Sequence, residues 1–143
     1  MDLVVSAIIL CQTNSIFKDP ENKGGNYTMP NLTTAKAFNL YAAALEHMAS
    51  THCTQGNRIS HWIMHNEVDF ANEWTNMGDQ PMMRYLDRYI KSMRICYNIA
   101  RQYDQNASVL GSYTHCWAKA DGSFAPKKML EKTVEYSSAE GDF

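Results

Sequence analysis

His61–Val68 reads HWIMHNEV, and the reading of this octapeptide decides the fold. Its apolar body predicts a β-strand, and the strand ends on an amide and a carboxylate, Asn66-Glu67. A carboxylate at the carboxyl end of a strand points towards the mouth of a (β/α) barrel, where strand-to-helix loops build active sites. Moving outward, Leu3–Leu10 (LVVSAIIL) is short, almost wholly apolar and β-branched, which predicts a strand buried on both faces. Ser108–Thr114 (SVLGSYT) predicts a third strand.

Between the strands lie helical patterns. Ala37, Phe38, Tyr41, Ala44, Leu45 and Met48 recur at helical spacing over about residues 33–50, with Thr33 or Thr34 placed to cap them. Met83, Leu86, Ile90, Met93, Tyr97 and Ala100 mark a second helix over about 82–105, where Asp87 and Lys91 form an i,i+4 pair. A third runs over about 126–137, with Pro126 in its first turn. The expected fold class is α/β: parallel β/α repeats of about three strands and three helices, a partial (β/α)8 barrel forming one incomplete domain over residues 1–143. Three strands also suit an open doubly wound sheet. The barrel is favoured because the long, aromatic-bearing loops 12–31, 69–81 and 115–125 all follow strands. A flavodoxin-type domain would carry a Gly-rich turn after its first strand, and CQTNSIF is not one.

Composition narrows the function classes. The chain has 143 residues, 45% of them hydrophobic and 20% charged, enough for one domain with a core. A net charge of -2 without a Lys/Arg cluster argues against a nucleic-acid partner. No stretch approaches the roughly 20 apolar residues of a membrane helix, and no basic residue precedes the apolar run after Met1, so neither a membrane span nor a signal peptide is expected and the localisation stays open. Cys11, Cys53, Cys96 and Cys116 form no C-x-x-C pair and read as free thiols, mostly buried. No cofactor is implied. His61, His65 and Glu67 alternate along one strand, but residues two apart stand about 6 to 7 Å from each other, too far for one ion to take all three, and no metal site is expected.

The segment HWIMHNEVDFANEW resembles the fourth strand and following loop of clan A glycoside hydrolases, where Asn-Glu ends that strand. The run from AFNLYAAALEHMAS through HWIMHNEV, the Trp74–Gly78 loop and SYTHCW is similar to a bacterial group of such barrels carried largely as a domain of unknown function. The resemblance implies a carbohydrate substrate, Glu67 as general acid/base and Asn66 as the neighbour that bonds a sugar hydroxyl. It makes the three strands the third to fifth of eight. The nucleophile of such enzymes, a second Glu, ends the seventh strand and falls outside this chain. Retaining enzymes hold the two carboxyl groups about 5 to 5.5 Å apart and inverting ones about 6.5 to 9.5 Å. Locally only Asp69 and Glu73 offer a partner, so the chain is expected to be inactive alone.

Further candidates for substrate binding carry a structural alternative each. Trp74 and Trp117 lie in strand-to-helix loops and either stack on a sugar ring or cover the barrel rim. His115 and Tyr113, after the third strand, either bond a substrate hydroxyl or hold the loop, and Ser112 shares that choice. Thr13 and Asn14 end the first strand and can line the same cleft, whereas Arg58 belongs to the opposite end of the sheet. A slice of a barrel exposes two sheet edges and the interior positions Val4, Ile8, Ile63 and Val109, so self-association through those edges or that face is expected. The alternative function is a non-catalytic sugar-binding or vestigial module.

Overall fold

A computed structural model describes residues 4–53, 58–117, 119–120 and 122–141. Three strands, β1 (Val5–Ile9), β4 (Ile59–Met64) and β5 (Ser108–Leu110), form a parallel sheet in the order β1-β4-β5. Two short strands, β2 (Cys11–Gln12) and β3 (Tyr27–Thr28), pair antiparallel beside it. The helices are α1 (Ala35–His52), α2 (Ala71–Trp74), α3 (Met82–Tyr103) and α4 (Pro126–Ala139). Strands adjacent in sequence are adjacent in the sheet. α1 packs on α3, and α3 packs on α4 and on the sheet, so the helices cover one face. This is a singly wound run of parallel β/α repeats, the α/β class expected, with one further helical turn and a small hairpin inside the loops.

Alternation along each strand separates a covered face from an open one. Trp62 and Met64 point under α3 and are wholly buried, packed with Tyr41 and Leu45 of α1, Leu86 and Ile90 of α3 and Met129 of α4. On the other face the register aligns two rows across the sheet: Ser6, His61 and Ser108, then Ile8, Ile63 and Leu110. Ile8 is 50% exposed and Leu110 39% exposed. Val109 is aligned with Trp62 and joins the core, so Leu110, one residue on, takes the open-face position expected of Val109. A one-residue difference in register moves a side chain to the other face.

Thr34 caps α1, its hydroxyl accepting the Ala37 N–H at 3.2 Å. Asp87 and Lys91 pair at 2.9 Å as expected. Arg58 meets the buried Asp104 at 3.5 Å and joins the entry to β4 with the entry to β5, a structural role at the amino end of the sheet. The apolar stripe of α3 is wider than its sequence pattern suggests: Tyr85, Tyr89 and Cys96 are buried, while Met83 is 46% exposed. All four cysteines are free, three of them buried.

Two strands stop early. β4 ends at Met64, four residues before Val68, and β5 ends at Leu110 rather than Thr114. The cause in β4 is His65, whose φ of +64° lies in the left-handed region, which His enters more readily than most residues. The reversal carries the His65 ring to the covered side, fully buried beside Tyr89 at 6.0 Å between ring centroids. His65 Nε2 lies 3.2 Å from Ser92 Oγ, and Ser92 donates its own proton to the Tyr89 carbonyl at 2.7 Å. Ser92 therefore accepts from His65, which fixes the Nε2–H tautomer. His65 Nδ1 has no hydrogen-bond partner among the described residues. Hence His61 and His65 face opposite sides of the sheet.

The loop after β2 is long but anchored. Asp19, fully buried, meets Arg88 at 3.0 Å, and Glu21 meets Arg84 at 2.6 Å, fastening it to the start of α3. The amides of Asn26 and Met29 donate to the carbonyls of Glu73 and Asn76. Gly25, at φ +78°, passes so close to α2 that an added Cβ would sit 2.3 Å from the Asn72 carbonyl oxygen.

Two measurements check this account. Burial pushes the His65 imidazole down from 6.5 to about 4, so the unfolded chain binds a proton that the folded chain refuses between those values. Stability contributed by neutral His65 is complete above pH 6.5 and is lost as pH falls towards 4, by about 3 kcal/mol in all. Urea midpoints at pH 7 and pH 4.5 should show wild type losing about 2 kcal/mol more than His65→Asn; parallel pH curves would refute the burial argument. Gly25→Ala should cost about 1–3 kcal/mol through strain and the clash with α2. An unchanged urea midpoint would mean that the loop does not rest there.

Candidate functional site at the carboxyl end of the sheet

Asn66 and Glu67 follow the His65 reversal, and Glu67 itself adopts φ +39°. Both are half-buried. Ser112, in the chain leaving β5, holds them from the neighbouring repeat. Its hydroxyl accepts the Glu67 N–H at 3.4 Å and donates to Asn66 Oδ1 at 3.4 Å, and its carbonyl accepts the Val68 N–H at 3.0 Å. The Asn-Glu pair thus sits on a turn cross-tied to the adjacent strand end, at the end of the sheet where strand-to-helix loops gather.

The neighbouring acids have other tasks. Asp69 is wholly buried; its two carboxylate oxygens accept the Thr114 N–H at 2.8 Å and the Thr114 hydroxyl at 2.6 Å, and its carbonyl accepts the Phe124 N–H at 3.0 Å. It pins the loop after β4 to the loop after β5. Tyr85 reinforces that anchorage, donating to the Val68 carbonyl at 2.9 Å and sharing a short hydrogen bond with Thr75. Glu73, on α2, takes a short hydrogen bond from the Asn26 amide. Of the two local carboxylates that could have complemented Glu67, one is a buried anchor and the other is engaged by Asn26.

An open cleft of about 370 Å³ lies at this end, lined by Gln12, Thr13, Asn14, Asn26, Tyr27 and Trp74. The Tyr27 and Trp74 rings stack on each other, 5.6 Å between centroids and 11° from parallel, and form its apolar wall. The cleft's polar groups include three amides and the hydroxyls of Thr13 and Tyr27. Trp74, Thr13 and Asn14 are sequence candidates that the fold brings together here. Gln12, Asn26 and Tyr27 were not legible as site residues, because nothing in the loop sequence shows that it folds back on α2; an aromatic between two runs of polar residues was the one available signal.

The remaining candidates lie elsewhere. Tyr113 is directed towards α4, its hydroxyl 3.5 Å from that of Thr133, and burial raises its phenol. His115 is exposed and has the Cys116 thiol 3.6 Å from its Nε2. Trp117 is 47% exposed, and its carbonyl accepts the Lys127 N–H at the start of α4. Neither these three nor the Asn66-Glu67 pair lines the Tyr27–Trp74 cleft. Among the described residues no group of three His, Cys, Asp or Glu side chains is arranged to hold a metal, and no helix is long and apolar enough to cross a membrane.

Neither curated proteins nor solved structures gave a significant match to the chain. Family comparison did: residues 1–143, the full sequence, match DUF5722, a family of unknown function, and the chain belongs to that family.

Proposed function

We propose that this chain is the substrate-binding and acid/base part of a glycoside hydrolase-type (β/α) barrel acting on an oligo- or polysaccharide. The observation that carries the reading is the cleft at the carboxyl end of the sheet, where a Tyr27–Trp74 wall faces amide and hydroxyl side chains. Sugars present C–H faces that pack on aromatic rings and hydroxyls that exchange hydrogen bonds with amides, so this lining suits them. In this reading Glu67 protonates the leaving glycosidic oxygen and then draws a proton from water, while Asn66 bonds a sugar hydroxyl. The nucleophile of the double displacement is supplied by residues beyond these three strands, since Asp69 and Glu73 are otherwise engaged. Tyr113, His115 and Trp117 belong to the loop after β5 and would contact a longer substrate outside the Tyr27–Trp74 cleft.

That engagement also favours a second reading, a non-catalytic sugar-binding module built on the same cleft. Binding and chemistry separate the two. Calorimetric titration of the chain with a panel of neutral oligosaccharides should find a ligand. Trp74→Ala should weaken it at least about tenfold through loss of the aromatic wall. Glu67→Gln should leave binding within about twofold while abolishing hydrolysis of an aryl glycoside wherever the second carboxylate is present. Hydrolysis that survives Glu67→Gln would remove the acid/base assignment. Binding indifferent to Trp74→Ala would remove the cleft.

The open face bears on self-association. The row Ile8, Ile63 and Leu110 offers apolar surface that a closed barrel would bury. The isolated chain is expected to self-associate through this face or the sheet edges. Sedimentation velocity at tens of micromolar should show dimers or larger species, and a stable monomer would contradict the expectation.

A further inference from the structure

We infer that the Tyr27–Trp74 cleft selects an uncharged glycan and discriminates against uronic or sulfated sugars, with Glu73 as the residue that sets this preference. The inference rests on the carbohydrate reading above and adds to it the class of sugar.

The lining chemistry is the first support. Gln12, Thr13, Asn14, Asn26, Tyr27 and Trp74 include no Lys, Arg or His, so no lining side chain offers a cation to an anionic ligand. Recognition of a carboxylate or sulfate draws most of its strength from charge-assisted hydrogen bonds, with Arg as the usual donor. Without one, an anionic group entering the cleft gives up hydration and gains only neutral contacts.

The second support is Glu73. It precedes Trp74 on α2 and is half-buried. One of the two Asn26 Nδ2–H donors is committed to its carboxylate. Two consequences follow. A negative charge is fixed beside the lining residue Asn26, one residue before Trp74, and it repels an anionic ligand. Asn26 keeps its Oδ1 and one Nδ2–H, a pair that exchanges hydrogen bonds with the hydroxyls of a neutral sugar. Two cations near these loops are paired with acids: Lys23 with Asp79 at 3.3 Å, and Arg84 at the start of α3 with Glu21 at 2.6 Å.

The test uses matched ligands. A neutral hexose oligosaccharide that binds the chain is compared with the same oligosaccharide oxidised at C6 to the uronate, so that linkage and length are held constant. Both are titrated calorimetrically into wild type and Glu73→Gln, at low salt and at 0.5 M NaCl. The expected result is at least about tenfold weaker binding of the uronate to wild type at low salt. The gap should narrow several-fold in Glu73→Gln, whose side-chain carbonyl still accepts from Asn26, and should narrow for wild type in high salt, where the Debye length falls to a few ångströms. Uronate binding as tight as the neutral ligand overturns the inference and leaves the carbohydrate reading standing. A gap unchanged in both Glu73→Gln and high salt removes Glu73 as its source. If Glu73→Gln fails to fold, the salt series on wild type decides alone. If neither ligand of any pair binds, the carbohydrate reading fails and this inference with it.

Discussion

The placement of the Asn66-Glu67 pair depends on the chain reversal at His65. A strand continued through Val68 would have alternated His65 and Glu67 with His61 along one face. The left-handed turn instead buries the His65 ring against Ser92 and Tyr89 on the helix side and releases Asn66 and Glu67 into a turn at the end of the sheet. The ring is held as a neutral tautomer because its one donor meets a hydroxyl whose own proton is spent on the Tyr89 carbonyl. Ser112 then fixes the turn from the neighbouring repeat. A local backbone conformation, a buried polar contact and a cross-tie between repeats thus act together to present one carboxylate.

Around that turn the carboxyl end of the sheet is built from anchored loops. Asp69 binds the two loops after β4 and β5 through Thr114 and Phe124, and Asp19 with Arg88 binds the loop after β2 to α3. These are buried or half-buried contacts, where removal of one partner leaves an uncompensated polar group. Backbone bonds from Asn26 to Glu73 and from Asn76 to Tyr27 hold Tyr27 beside Trp74. Anchored loops of this kind would preorganise the proposed binding residues.

Much of the frame was legible in the sequence. The β-branched run near residue 5, the apolar stripes on α1 and α3 and the proline opening α4 state their elements directly. Strand ends were not legible, because HWIMHNEV contains neither Gly nor Pro and His65 turns the chain without announcing it. Val109 and Leu110 are both apolar, so only the register against Ile63 tells which faces the helices. Asp69, two residues after Glu67, has the residue type and position of a catalytic partner, yet its carboxylate is consumed by Thr114, 45 residues away. Tyr27 was invisible as a site residue for the same reason: its meaning comes from α2, which the loop reaches only through the close passage at Gly25. Local pattern carries the elements, and contacts between distant loops carry the site.

The central claim is that one end of this sheet receives a sugar chain with Glu67 at the bond to be cleaved. A crystal structure of the protein with a bound neutral oligosaccharide tests it most directly. The account predicts a sugar ring against the Tyr27–Trp74 wall and the Glu67 carboxyl within about 3 Å of a glycosidic oxygen. A ligand seated away from that wall, or a Glu67 side chain directed away from the sugar, would contradict it.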